Sequence, residues 1–217
     1  MRCDTIYGGA LIAGALAGFV TMAMHPTGSQ LMADVQHMAP VVLAVHALAL
    51  AAIPVSFFGA IGLTRVLLAD GEAPVAALVA YGMAQSAVMI AAVASGLLMP
   101  AIAARMVSTP GAERDLAIAF GQFTGSVNQA FAKVYVMASS AAILLWSASI
   151  IRHARLARRA GILGVVVAVL ALVGVAIGHV RLDLHGFGAI VLTQGLWTIT
   201  IGVLLIRSRP EAGALQR

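Results

Sequence analysis

The sequence predicts an all-α, polytopic membrane protein: one bundle of six transmembrane helices, with both termini in the cytoplasm. Three observations carry this. The 217 residues are 61% hydrophobic and only 10% charged, with a mean hydropathy of +1.00, whereas a soluble domain is about a quarter charged. Six uncharged runs recur along the chain, and at roughly 20 residues per span plus short links they leave no room for a second domain. Lys and Arg are dense in alternate links and sparse in the others. None of the runs alternates like a strand, so helices are left to satisfy the backbone in lipid.

Taken in order, the spans fall at about 5–24, 39–64, 74–104, 130–151, 161–178 and 187–206. The first run, Thr5 to Met24, exceeds the roughly 7–15 residues of a signal-peptide apolar region and is expected to remain as a span. The second contains Pro54, which removes a backbone hydrogen bond and is expected to kink it. Asp70-Gly71-Glu72-Ala73-Pro74 reads as a tight turn. Residues 25–38, 105–115 and 179–186 form the links at the opposite end. Ser108-Thr109-Pro110, with Glu113 and Asp115 behind it, marks a helix start. Residues 112–130, too polar for lipid around Gln122, Asn128 and Gln129, read as an amphipathic lead-in to the fourth span. Small-residue faces at Ala10, Gly14 and Gly18 and at Gly174 and Gly178 favour close helix packing and would permit a homo-oligomer.

Orientation follows from the basic residues. One side holds Arg2, Arg65, Arg152, Arg155, Arg158, Arg159, Arg207, Arg209 and Arg217; the other holds Arg105, Arg114, Lys133 and Arg181. Nine against four places the termini inside a bacterial cytoplasmic (inner) membrane. The net charge of +5 therefore reads as helix-end anchoring on the lipid bilayer and excludes nucleic acid as the expected partner. Cys3 is the single cysteine, which rules out an internal disulfide or a thiolate metal cage.

Histidine is distributed oppositely. His25, His37, His46, His179 and His185 lie at or just inside the expected external rim, and only His153 lies among the arginines. Counting about 20 residues from the cytoplasmic ends of the second and fourth spans places His46 and Lys133 at one depth. These residues suggest an outward-facing polar pocket. Its ligand-binding candidates are His46, Lys133, Asn128, Gln129, Arg181 and Gln194. Its candidate metal ligands are His25, His46, His179, Asp183 and His185, with His37 covering the pocket. Imidazole suits copper and zinc, and Met22, Met24, Met32, Met38, Met99 and Met106 on the same side would favour Cu(I). Two histidines could instead be axial ligands of a haem, with Arg181 and Lys133 meeting the propionates. A quinone-like molecule arriving through the outer leaflet is the third ligand class.

Each residue also has a structural reading. Asp183 could cap the sixth helix, with His179 and Arg181 complementing the end of the fifth. His46 could hydrogen-bond Gln194, Asn128 or Gln129, and Lys133 could snorkel to the interface. Two other functions stay open. In one, a membrane enzyme uses His46 or His179, oriented by Asp183, as general base on a lipid-like substrate, with Lys133 stabilising developing negative charge. In the other, a transporter or non-catalytic subunit uses the histidines as packing groups; Pro54 and Gln85 are its only midplane signals. No zincin, serine-hydrolase, P-loop or dinucleotide motif is present.

Overall fold

The structure, a computed structural model, describes residues 3–153 and 156–208. Among these residues every regular element is helical: α1 (Cys3–Met24), α2 (Gly28–Ala33), α3 (Val35–Leu67), α4 (Ala73–Val93), α5 (Met99–Ser108), α6 (Gly111–His153), α7 (Arg158–Ala176) and α8 (Leu184–Arg207). A 3-10 turn, Leu68–Asp70, follows α3, and a π turn, Ala94–Leu98, joins α4 to α5. Six helical stretches are long and apolar enough to cross a membrane, α4, the π turn and α5 together making one of them.

The six stretches form a ring in which sequence neighbours are spatial neighbours: α1 packs on α3, α3 on α4, α4 on α6, α6 on α7, and α7 on α8. Contact between α8 and α1 closes the ring. That contact is close because Gly8 faces Gly202 backbone to backbone, and a Cβ at Gly202 would lie 2.7 Å from the Gly8 carbonyl oxygen. The small face of α1 is used in the same way within the chain. Gly14 abuts Ser56 of α3, and Gly18 faces Val191 of α8. Gly174 of α7 meets Val180 of the following link.

One end of the ring is filled. Trp146, Leu63, Leu67, Ile150, Ile201 and Leu205 are completely or almost completely buried there. The Trp146 indole donates to Thr64 Oγ1 at 3.2 Å and the Trp197 indole to the Ala160 carbonyl at 3.0 Å. Arg65 donates to the Tyr7 hydroxyl at 2.6 Å on the rim. Arg152, Arg158, Arg159 and Arg207 share this arginine end and are exposed. Arg2, Arg155, Arg209 and Arg217 lie outside the described residues.

Several expected boundaries differ. The lead-in 112–130 and the fourth span are one helix of 43 residues, about 64 Å long at 1.5 Å per residue and roughly twice the hydrocarbon thickness. The second span begins at Val35 and the third extends to Ser108, so α3, α5 and α6 all carry their extra length at the end opposite the arginines. The link 25–38 is not irregular throughout: Thr27 and Gln30 form a reciprocal capping box that starts α2. The fifth span stops at Ala176 because Gly178, at φ +73°, takes the left-handed conformation that closes a helix. α3 runs on through Pro40 and Pro54 as a single helix.

Substituting Gly202→Val would force α1 and α8 apart at a contact where backbone cannot yield. A loss of about 1–3 kcal/mol is expected, read as a lower melting temperature in detergent, whereas Gly9→Ala, with open space around it inside α1, should hold or raise the melting temperature.

Candidate functional site

At the histidine end the ring is open, and a cavity of about 460 Å³ lies between α1, α3, α4, α6 and α8. Its polar wall is made by two imidazoles. His25 follows the last residue of α1, and its side chain is turned inward where Pro26 ends helical continuation. His46 stands on α3 and is buried, 3% exposed. Each ring is held by a backbone acceptor: His25 Nδ1 donates to the Pro26 carbonyl at 2.9 Å, and His46 Nδ1 to the Val42 carbonyl at 2.8 Å.

A carbonyl only accepts, so both rings carry hydrogen on Nδ1, and the neutral rings present bare Nε2 lone pairs. Those two nitrogens face each other at 3.2 Å, with the rings at 65° and their centroids 4.8 Å apart. Ser95 Oγ lies 2.9 Å from His46 Nε2 and 2.9 Å from the Ala91 carbonyl, so two acceptors compete for its one hydrogen. The π turn makes this contact possible. Its extra residue brings Ser95 to the imidazole, and Gly96 lies so close to the His46 ring that a Cβ there would overlap it. Such turns often mark functional positions in helices. Burial pushes the His25 imidazole below its ordinary value, its bond to Pro26 opposing this only in part.

The other expected site residues divide. Asn128 and Gln129 line the cavity, and Gln129 donates to the Leu182 carbonyl at 3.0 Å, tying α6 to the link before α8. Asp183 and His185 also line its rim. The Asp183 carboxylate caps α8, accepting from Gly186 N at 2.9 Å and His185 N at 3.1 Å. The Gly186 bond is the chief reason Asp183 is held below the usual carboxylate range. Lys133, His179 and Arg181 are exposed and outside the cavity. Depth matches His46 with Lys133, but azimuth separates them: one side chain points inward and the other to the perimeter. Gln194 is buried deeper and donates to Ser140 Oγ at 3.0 Å. His46 therefore takes Val42, Ser95 and His25 as partners, and not Gln194, Asn128 or Gln129. His37 does not cover the pocket; it is exposed and pairs with Asp34 at 2.8 Å. Met22 lines the cavity, while Met24 and Met32 are exposed, so the methionines are not gathered around one point. Among the described residues no third His, Cys, Asp or Glu joins the pair in a metal-sized cluster.

The cavity continues inward. A deeper chamber of about 150 Å³ shares Thr21, Met22, Ala49, Val88 and Phe187 with it and extends down to Leu63 and Ile201. From His46 to Leu63 the well is about 25 Å deep at 1.5 Å per residue. The buried cluster at the arginine end closes its floor. Neither Ser95, Gly96 nor this chamber was an expected feature; the one sequence trace is the small triplet Ala94-Ser95-Gly96 inside an apolar run.

Compared with protein-family models, curated proteins and solved structures, the chain matches none, so the chemistry of the site rests on its own residues.

Two outcomes are expected. Gly96→Ala should displace the His46 ring and lower stability by about 1–3 kcal/mol, checked by thermal melting in detergent. As pH falls through 6.5, the unfolded chain takes up a proton on His25 before the folded protein does. Folded stability supplied by the neutral ring is thus present above that pH and lost below it. The melting temperature of metal-free protein should fall from pH 7 to pH 5, and His25→Gln should flatten part of that fall.

Proposed function

We propose that this is an integral protein of a bacterial cytoplasmic membrane, its termini inside, whose His25–His46 pair holds a zinc or copper ion at the external mouth of the well. The observation that carries this reading is the 3.2 Å approach of the two Nε2 atoms, each the acceptor nitrogen of a neutral ring whose Nδ1–H is given to a carbonyl. The His46 lone pair competes with the Ala91 carbonyl for the Ser95 hydrogen, the His25 lone pair has no donor among the described residues, and two lone pairs at that distance repel unless a cation lies between them. With metal–nitrogen bonds of about 2.0–2.1 Å and a tetrahedral angle, two imidazole ligands stand about 3.3 Å apart. The alternative cation, a proton, is disfavoured at neutral pH by the burial that lowers the affinity of His25 for it. Each Nδ1–H bonded to a carbonyl also supplies the outer contact that orients a metal-binding imidazole.

Two protein nitrogens leave further coordination positions open for water, the Ser95 hydroxyl or an exogenous ligand. The Met22 thioether on the same cavity would favour Cu(I) over zinc. A bis-histidine haem fits less well. Its iron requires the two nitrogens in line on opposite faces of a plane, and its propionates would lack Lys133 and Arg181, which point elsewhere. General-base catalysis by an Asp183-oriented histidine is likewise unsupported, because that carboxylate is engaged by the α8 backbone. The closed floor of the well favours a protein that holds a ligand over one that conducts it.

Equilibrium dialysis of the detergent-purified protein against Zn²⁺, and against Cu⁺ under reducing conditions, tests the reading. One ion per chain is expected, weakened more than about tenfold by His25→Ala or His46→Ala and unaffected by His37→Ala or His179→Ala. Undiminished binding in the first two variants overturns it.

A further inference from the structure

We infer that the deep chamber beneath the histidine pair is a second binding site, and that it takes a neutral six-membered ring bearing oxygen, of the quinone or phenol class. The chamber contains no Asp, Glu, Lys, Arg or His, so a charged ligand would be desolvated there without compensation. Its walls are aromatic. Tyr81 and Trp146 lie with centroids 5.5 Å apart, and Trp146 and Trp197 6.5 Å apart. A cavity of about 150 Å³ is known from engineered proteins to admit a benzene ring, and this one opens into the larger cavity above it, which gives ring substituents room.

Gln85 supplies the specificity. It is only 9% exposed and lines the chamber, yet among the described residues its side-chain amide has no hydrogen-bond partner. The other buried amide of the chamber, Gln194, is engaged by Ser140, and both indoles have acceptors. Buried polar groups are otherwise paired almost without exception. Thr21, where chamber and outer cavity meet, also has a buried hydroxyl without a partner. An amide N–H without an acceptor in an aromatic-walled chamber matches a carbonyl or phenolic oxygen on a flat ring. This combination, a largely apolar concavity with a few convergent polar groups, is the usual make-up of a small-molecule site. The inference does not depend on the metal reading, since neither histidine enters the chamber.

Both tryptophans of the protein line this chamber, so their fluorescence reports its occupancy. Tetramethyl-1,4-benzoquinone, which quenches indoles and has no open ring position for addition, is titrated into the detergent-purified protein. Saturable quenching at one ring per chain is expected, with an apparent Kd raised about tenfold by Gln85→Met, a loss in keeping with one buried hydrogen bond. Ser139→Leu, which fills the chamber from α6, should abolish saturation and provides the readout if Gln85→Met does not fold. His25→Ala should leave ring binding intact even where it abolishes metal binding, so the two sites fail separately. A quinone with a ten-carbon tail distinguishes sources: tighter binding than the tail-less ring indicates a membrane quinone, and weaker binding a free ring compound. Quenching that rises linearly without saturation, or saturates identically in both variants, overturns the inference.

Discussion

A neutral imidazole has one ring hydrogen, and in both members of the central pair a backbone carbonyl stands where Nδ1 gives it up. The remaining nitrogens must therefore meet as acceptors, and the polar end of the molecule is arranged around that meeting. The end of α1 has to stop at Met24 so that His25 can turn inward against Pro26. α3 has to present His46 to the interior, and the third stretch has to loosen into a π turn so that Ser95 arrives and Gly96 leaves space. Three separate departures from a straight apolar helix thus converge on one point. In a bundle where ordinary packing needs none of them, that convergence gives the site its functional weight.

The rest of the ring makes such an opening tolerable. A central cavity removes contacts that a packed bundle would have, and dispersion lost in this way destabilises. The arginine end compensates with fully buried aliphatic and indole side chains and with the glycine-mediated closure between α1 and α8. α7 does not line the cavities; it packs on α6 and α8 and receives the Trp197 hydrogen bond at Ala160. Rigidity at one end and openness at the other are complementary parts of one design.

The fold was legible because uncharged runs long and apolar enough to cross a membrane can be little else than helices. Boundaries were less legible where the helices exceed the length a membrane crossing requires, since residues 111–130 are polar enough to look like a separate segment while nothing in them interrupts helical hydrogen bonding. His25, His46, Asn128, Gln129, Asp183 and His185 line one cavity, a proximity that is legible because position along a helix can be counted from the sequence. Lys133, Arg181 and His179 share that depth but not the direction, which depends on how each helix is rotated in the ring and leaves little trace in hydropathy. Ser95 leaves no signal of its own in the sequence, and Gln85 stands out there only as a midplane polar group, for a related reason. A lone serine or glutamine in an apolar run is commonplace, and only its lack of an ordinary partner, or the ring it meets, sets it apart.

The outer cavity and the deeper chamber share Thr21, Met22, Ala49, Val88 and Phe187, and this has a kinetic consequence. A guest bound for the chamber by way of the larger cavity passes the wall on which His25 and His46 stand. An ion seated there would narrow that passage and slow arrival and departure by the same factor, leaving the affinity of the chamber as it was. Two ligands that never touch would then lengthen each other's residence, without any helix having to move.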